Sequence, residues 1–213
     1  MKAFLIGAGD YHGEGRDLIT EDDLVIAVDG GLLHCQSFGL TPALAIGDFD
    51  SLGYLPKGVE AFTHPVEKDD TDMALAVDVA LTRGAREIYL LGALGGRLDH
   101  TLANITLLRS LAERGTLAYV IGERESMTVL RAGESALFEG SPDGVFSLFS
   151  LTEKSTVTIT GAKYPLSSGD IFANRALGVS NHFMKRSAEI IIESGTVLLL
   201  WENSESNELI RLT

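Results

Sequence analysis

The chain has 213 residues, of which 45% are hydrophobic and 22% charged, a composition typical of a globular protein with a substantial core. Its formal net charge is −13, from 30 acidic and 17 basic residues. Nucleic-acid-binding proteins normally carry a basic surface, so this charge predicts that the protein does not bind nucleic acid. The apolar runs are shorter than the roughly 20 residues that span a membrane, so no membrane association is predicted.

The opening segment, "MKAFLIGAGDYHGEG", is predicted to be a buried first strand rather than a signal peptide. It turns glycine-rich and acidic after its apolar run and lacks a small-residue cleavage site. Cys35 is the one cysteine of the sequence, which excludes a disulfide framework and a thiolate metal site. A reducing cytoplasm is therefore the expected location.

Strands and helices alternate over residues 1–124. Four apolar runs end in glycine or aspartate, as strands of a buried parallel sheet do, and they are "KAFLIGAG", "DLVIAVDGG", "PALAIGDFD" and "EIYLLGALGG". Two helical patterns lie within residues 69–85 and 97–115. This alternation predicts an α/β domain with a mostly parallel sheet.

Each of the two predicted helices has an apolar stripe and a glycine stop. The stripe of the first helix consists of Met73, Val77, Ala80 and Leu81, and Gly84 follows it. The stripe of the second consists of Leu98, Leu102, Ile105, Leu108 and Ala112, and Gly115 follows it. Either Asp70 or Thr71 is expected to cap the first helix.

The pattern changes near residue 125. Short β-branched and aromatic runs, broken by Gly, Ser, Pro and Asn, follow in "SMTVLRAGESALFEG", "GVFSLFSLTEKSTVTITGA", "LGVSNHFMKRSAEIIIES" and "GTVLLLWEN". Residues 125–213 are therefore predicted to form an all-β sandwich or barrel of antiparallel strands. Trp201 is expected to pack in the core or at its rim rather than to bind a ligand.

Acidic residues cluster where the predicted parallel strands end. In "GDFDS", an extended chain directs Asp48 and Asp50 to the same side, where they repel each other unless a cation lies between them. The clustered strand-end acids are Asp29, Asp48, Asp50, Asp69, Asp70, Asp72 and Asp99. Ligands of open parallel sheets bind beyond these strand ends, and carboxylate oxygens suit Mg²⁺. Zinc is disfavoured, because no Cys/His ligand set and no H-E-x-x-H helix is present.

A phosphate site is the natural complement of this acidic cluster. "GALGGRLDH" puts glycines and Arg97 at the start of a predicted helix, where backbone N–H groups favour an anion. Lys68, within "EKDDTD", either neutralises the neighbouring acids or contacts a phosphate. "GAGDYH" fails the dinucleotide fingerprint because His12 stands where the third glycine belongs, and no P-loop sequence occurs.

The ordered combination of "VDGG", "GDFDS", "EKDDTD", "LGALGGRLDH", "GAKYPL" and "GVSNHF" resembles the thiamine pyrophosphokinase family. The resemblance covers most of the chain. It implies an N-terminal α/β domain that binds nucleotide and Mg²⁺, a C-terminal β-sandwich that binds thiamine, and a homodimer with the thiamine site at the subunit interface. The implied reaction transfers the pyrophosphoryl group of ATP to the hydroxyl of thiamine and releases AMP.

The resemblance also implies roles for individual residues. It makes Asp48, Asp50 and Asp72 the ligands of Mg²⁺. The implied nucleotide contacts are Asp29, Gly30, Lys68, Asp70, Thr71, Arg97 and His100. The implied catalytic set adds Asp69, Asp99 and Arg97 to the metal ligands, with either Asp69 or Asp99 orienting or deprotonating the thiamine hydroxyl. Tyr164, Ser180 and Asn181 are the implied thiamine contacts, although the residues alone allow Tyr164 to be an ordinary core aromatic.

Two other functions remain open from the residues. Asp-x-Asp also occurs in phosphatases with an aspartyl nucleophile, although those place the pair after the first strand of the domain. The acidic cluster is also compatible with a binding module that holds a metal and a phosphorylated ligand without chemistry.

Overall fold

The structure, a computed structural model, describes residues 1–47, 59–62, 70–204, 207 and 209–212. The predicted site residues Asp48, Asp50, Lys68 and Asp69 therefore lie outside the described part of the chain. The chain divides into two compact units. The first comprises residues 1–107 and 115–123, and the second comprises residues 108–114 and 124–213.

The first unit is built on a parallel sheet. Its strands are β1 (Lys2–Ile6), β2 (Leu24–Val28), β3 (Leu44–Ile46), β4 (Glu60–Phe62), β5 (Glu87–Leu91) and β6 (Leu117–Ile121). They lie in the order β6-β5-β1-β2-β3-β4, and all neighbours are parallel. Along the chain, β2, β3 and β4 are added in turn on one side of β1, and β5 and β6 are then added on its other side. The strand order therefore switches between β1 and β5. The predicted parallel α/β fold is confirmed for this unit.

Three helices accompany these strands: α1 (Gly31–Ser37), α2 (Asp72–Thr82) and α3 (Leu98–Glu113). A short 3₁₀ turn covers Arg16–Leu18. Thr71 caps α2, since its Oγ1 accepts a hydrogen bond of 3.2 Å from the backbone N–H of Ala74. The predicted stop of α2 is confirmed, because Gly84 follows the helix with a φ of 90°. No described helix is both long and apolar enough to cross a membrane.

The predicted apolar stripe of α3 is wrong over its first two turns. Leu98 and Leu102 are 72% and 56% exposed, although both belong to that stripe. The buried residues of the helix are Asn104, Leu108, Leu111 and Ala112, of which Leu108 and Ala112 belong to the predicted stripe. Residues three or four positions apart lie on one side of a helix, so the sequence allows both the predicted stripe and the observed set of buried residues. Tertiary contacts, such as the hydrogen bond from Asn104 to Ala93, decide which side of α3 is packed.

The second unit contains two antiparallel sheets. Its strands are β7 (Glu125–Arg131), β8 (Ser135–Phe138), β9 (Val145–Ser150), β10 (Lys154–Thr160), β11 (Leu166–Phe172), β12 (Asn181–His182), β13 (Ala188–Ser194), β14 (Thr196–Glu202) and β15 (Leu209–Leu212). One sheet has the order β12-β9-β14-β7, and the other has the order β11-β10-β13-β8-β15.

Aromatic rings from both sheets meet in the core of this unit. The ring centroid of Phe138 on β8 lies 5.8 Å from that of Trp201 on β14 and 4.8 Å from that of Phe183. The ring centroid of Phe146 on β9 lies 4.9 Å from that of Phe183. Trp201 is buried, which confirms that it is a core residue.

Candidate functional site

A cleft of about 480 Å³ lies at the carboxyl ends of β1, β2 and β5. Its lining residues are Gly7, Ala8, Gly9, Val28, Asp29, Thr71, Asp72, Met73, Gly92, Ala93, Gly95, Gly96, Arg97, His100, Ala103 and Asn104. The cleft includes the ends of β1 and β5, between which the strand order switches. Open parallel sheets bind their ligands at this point, so the cleft is the candidate site of the first unit.

The glycines after β1 allow two strand-end loops to touch. The N–H groups of Gly7 and Gly9 donate to the carbonyl oxygens of Leu91 and Gly92, both at 2.8 Å. A Cβ on Gly9 would overlap the carbonyl oxygens of Gly92 and Leu94. These N–H groups are therefore committed to the protein backbone, which explains why "GAGDYH" does not form a dinucleotide-binding turn.

Asp29 and Asp72 place two carboxylates on the wall of the cleft. Asp29 follows β2 in a left-handed conformation with a φ of 50°. Its backbone N–H donates a hydrogen bond of 2.8 Å to the carbonyl oxygen of Ile46. A Cβ on Gly47 would overlap Oδ1 of Asp29, so this carboxylate lies against the residue that precedes Asp48. Asp72 is the first residue of α2. The strand-end rule thus brings these two predicted residues together.

Two other predicted nucleotide contacts of this unit lie outside the cleft lining. Asp70 is exposed, and Gly30 is half-buried at the start of α1; neither lines the cleft. Within the described ranges, no group of three or more His, Cys, Asp and Glu side chains could hold a metal ion.

Arg97 and Asp99 form a two-point ion pair at the start of α3. Arg97 Nε lies 3.1 Å from Asp99 Oδ1, and Arg97 Nη2 lies 2.5 Å from Asp99 Oδ2. The backbone N–H of His100 also donates to Asp99 Oδ1, at 3.1 Å. Arg97 and His100 line the cleft, whereas Asp99 does not.

The ion pair shifts the pKa values of both of its members. The hydrogen bond from Arg97 lowers the pKa of Asp99, and the hydrogen bond to Asp99 raises the pKa of Arg97. Because the pKa of Asp99 is lowered in the folded protein, the pair stabilises the fold above the ordinary carboxyl pKa. That contribution is lost as the pH falls through the lowered value. Both side chains are exposed, so the contribution is small.

Replacing Arg97 with glutamine is expected to raise the pKa of Asp99 towards its ordinary value, because the charged donor is lost. A ¹³C NMR titration of the side-chain carboxyl groups measures this directly. Asp170 is the control, since its pKa is lowered by hydrogen bonds from Thr156 and Lys154 in the other unit. An Asp99 pKa that does not move in the variant would contradict the pairing.

Asn104 is a cleft residue that the sequence analysis missed. It is buried on α3, and its Nδ2 donates a hydrogen bond of 2.8 Å to the carbonyl oxygen of Ala93. The available signal was its position four residues before Leu108, on the buried side of the helix. A polar residue at such a position needs a partner and is a candidate for a specific role.

In the second unit, Asn181 holds the backbone of Tyr164. Asn181 Oδ1 accepts hydrogen bonds from the N–H groups of Tyr164, at 3.0 Å, and His182, at 2.9 Å. Asn181 Nδ2 donates to the carbonyl oxygen of Tyr164 at 2.8 Å. The side chain of Asn181 is buried, so it fixes the position from which Tyr164 projects.

We call the three hydrogen bonds of the Asn181 amide to Tyr164 and His182 the Asn181 clamp. A second cavity, of about 310 Å³, adjoins it. It is lined by Ile159, Tyr164, Leu166, Leu177, Gly178, Val179 and Asn181. The Tyr164 side chain is 57% exposed, so it is not an ordinary core aromatic, and Lys163 Nζ lies 5.3 Å from its ring centroid. Ser180 is exposed with a φ of 60°; its N–H donates to Ser147 Oγ at 3.1 Å, and it does not line the cavity.

Replacing Asn181 with alanine is expected to lower the free energy of unfolding by about 1–3 kcal/mol, because the part-buried backbone N–H and carbonyl groups of Tyr164 lose the buried amide that pairs with them. Urea unfolding followed by circular dichroism provides the measurement. Asn174 is exposed, and its replacement by alanine should change the same quantity by less than about 0.5 kcal/mol. Equal losses in the two variants would show that the clamp contributes nothing specific.

Known proteins share both the fold and the sequence pattern. A crystal structure of thiamine pyrophosphokinase from Bacillus subtilis matches with a TM-score of 0.84 and 25% identity, covering 96% of this chain and all of that one. The thiamin pyrophosphokinase structure from Geobacillus thermodenitrificans matches with a TM-score of 0.83 and 29% identity, over 98% of this chain and 100% of its own. The structure from Candida albicans, at 15% identity and a TM-score of 0.81, shares the fold. It covers 95% of this chain and 89% of its own.

The sequence matches extend over both units. Residues 16–120 match the family described as "Thiamin pyrophosphokinase, catalytic domain", and residues 139–197 match "Thiamin pyrophosphokinase, vitamin B1 binding domain". The protein of Bacillus subtilis (strain 168) named thiamine pyrophosphokinase is 30% identical over 210 residues, which cover 94% of this chain and 98% of that protein. The fold, the cleft and these matches define a two-domain enzyme, a transferase of the kinase class. Within that class, the chain belongs to the thiamine pyrophosphokinase family.

Proposed function

We propose that this protein transfers the pyrophosphoryl group of ATP to the hydroxyl of thiamine, giving thiamine diphosphate and AMP. The observation that carries the proposal is the family match in both units, one to a catalytic and one to a vitamin-binding domain. Residues 1–124 then form the domain that binds nucleotide and Mg²⁺, and residues 125–213 form the domain that binds thiamine.

The residues around the cleft fit Mg²⁺. Asp29 and Asp72 supply carboxylate oxygens, which this hard cation prefers, and Asp48 follows the glycine against which Asp29 lies. No thiolate competes, since Cys35 is buried in the core and burial raises the pKa of its thiol to about 12. The proposed ligands are Asp48, Asp50 and Asp72. The bound cation would offset the negative charge of the triphosphate.

The protein's own side chains supply positioning and charge for an in-line attack of the thiamine hydroxyl on the β-phosphorus of ATP. Arg97, which lines the cleft, balances phosphate charge together with Lys68. Thr71 is suited to a phosphate oxygen, because its Oγ1 accepts from Ala74 and no described residue accepts its own proton. The other proposed nucleotide contacts are Asp29, Gly30, Asp70 and His100.

A base must receive the proton of the thiamine hydroxyl. Asp99 is poorly suited to this role, because the hydrogen bond from Arg97 lowers its pKa and stabilises its charged form. The proposal therefore assigns the proton to Asp69 and gives Asp99 the task of orienting Arg97. AMP leaves with the electron pair of the broken phosphoanhydride bond.

Thiamine is proposed to bind in the second unit, with its rings on Tyr164 and with Ser180 and Asn181 beside it. The cavity lined by Tyr164 and the clamp from Asn181 support this assignment. The two antiparallel sheets are proposed to form the predicted sandwich, since Phe138 and Trp201 contact each other from different sheets. The proposal also includes a homodimer with the thiamine site at the subunit interface, and a cytoplasmic location. Sedimentation equilibrium tests the dimer, and a monomer mass would overturn it.

Analysis of the products tests the reaction itself. The protein is incubated with ATP, Mg²⁺ and thiamine, and the expected products are AMP and thiamine diphosphate in equal amounts. The phosphatase alternative predicts inorganic phosphate and a phosphoaspartate, and the binding-module alternative predicts no product. Neither alternative accounts for family matches in both units.

A further inference from the structure

Asn104 is the cleft residue to which the proposed reaction assigns no task. Its side chain is only 7% exposed, yet it lines the cleft. Burying a polar group costs free energy unless the group is hydrogen-bonded. The Nδ2 and Oδ1 ends of the Asn104 amide therefore each need a partner. One end has its partner in Ala93, at the end of β5.

The hydrogen bond to Ala93 settles which way the carboxamide faces. A carbonyl oxygen can only accept, so the atom 2.8 Å from Ala93 must be Nδ2 rather than Oδ1. Oδ1 is consequently turned away from that carbonyl. Among the described residues, none donates a hydrogen bond to it. Oδ1 is thus an acceptor held in a fixed orientation, on a residue that lines the cleft.

Ala93, the hydrogen-bond partner of Asn104, and Ala103, which precedes it in the chain, are uncharged lining residues. His100 lies one turn earlier on α3, and the cation Arg97 stands seven residues earlier, at the start of the helix. A helix rises about 1.5 Å per residue, which puts roughly 10 Å between the levels of Arg97 and Asn104. Along α3, the cleft wall therefore carries a cation at the start of the helix and an uncharged amide about two turns later.

A fixed acceptor selects the group that it meets. Phosphate oxygens are acceptors themselves and would be repelled by Oδ1, so the partner is a hydrogen-bond donor or a cation. The proposed function assigns Mg²⁺ to carboxylates, which leaves a hydrogen-bond donor as the partner of Asn104. We propose that Asn104 Oδ1 accepts a hydrogen bond from a neutral donor of the nucleoside, either a ribose hydroxyl or the amino group of the base, and so contributes to nucleotide selection. The inference rests on the proposed function, because it takes the ligand of the cleft to be ATP.

Calorimetric titration with Mg²⁺ and four nucleotides tests this role. The nucleotides are ATP, 2′-deoxy-ATP, 3′-deoxy-ATP and purine riboside triphosphate, which lacks the 6-amino group. The wild-type protein is expected to bind one of these analogues about 3- to 10-fold more weakly than ATP, the worth of one hydrogen bond. Loss in a deoxy analogue identifies the ribose, and loss in the purine riboside identifies the base.

Asn104→Ala completes the test. The variant is expected to bind ATP more weakly by a similar factor and to bind ATP and that analogue equally well. Leu102→Ala, on an exposed residue of the same helix, should retain the wild-type preference. Equal binding of all four nucleotides by the wild-type protein overturns the inference without any variant, and so does a preference that persists in Asn104→Ala. A wild-type protein that binds no ATP overturns the proposed function instead.

Discussion

Replacing Asp72 with asparagine is expected to lower kcat by about 100- to 1,000-fold, the usual effect of removing one preorganised charge from a phosphoryl-transfer site. Asp72 lines the cleft from the first residue of α2, and the proposal makes it a ligand of Mg²⁺. Because asparagine is a weaker ligand, the Mg²⁺ concentration that gives half-maximal AMP release should rise as well. Steady-state assays over a series of Mg²⁺ concentrations measure both quantities.

The same substitution should affect stability only slightly. A carboxylate in the first turn of a helix contributes about 0.3–1 kcal/mol through the helix dipole. Asp78 provides the matched control, since it is an exposed carboxylate further along α2 and does not line the cleft. Asp78→Asn should retain the wild-type rate and Mg²⁺ dependence. A near-wild-type rate in Asp72→Asn would remove Asp72 from the metal site.

Replacing Gly31 with alanine is expected to lower the free energy of unfolding by about 3 kcal/mol or more, a large effect for one added methyl group. Gly31 is the first residue of α1, and a Cβ there would overlap the carbonyl oxygen of Ile6 at the end of β1. The obstacle is backbone rather than a mobile side chain, so α1 must move away from the sheet. Urea unfolding at equilibrium measures the loss.

Gly39 separates this clash from the general cost of replacing glycine. It has a φ of 68°, and a Cβ there meets nothing within 4 Å. Gly39→Ala should therefore cost only about 1–2 kcal/mol, the strain of a left-handed conformation. If both variants lost the same stability, the close contact of Gly31 with Ile6 would not be the cause.

Local sequence signals predicted much of the first unit correctly. The apolar runs that end in glycine or aspartate are β1, β2, β3 and β5, and Thr71 and Gly84 bracket α2 as expected. These element predictions succeeded because each depends on a few neighbouring residues. Asp29 and Asp72, two members of the predicted acidic cluster, both line the cleft, and their roles there stay predictions.

Five of the described elements were not predicted, namely α1, β4, β6, β11 and β15. Three of them have weak local signals. The helix α1 has only seven residues, β4 is three residues long and exposed, and β11 is largely polar. Such short or polar segments gain their structure from the partners beside them rather than from their own periodicity.

The class of each unit, the acidic strand ends and the family resemblance follow from the sequence alone, because composition, period and motif order are properties of the chain itself. Tertiary structure was needed to orient α3, to pair Asn104 with Ala93 and to clamp Tyr164 with Asn181. The partners in these pairs are 11 and 17 residues apart in the chain. No local rule links residues at such distances. Packing decided which end of the Asn104 amide is bonded to the protein.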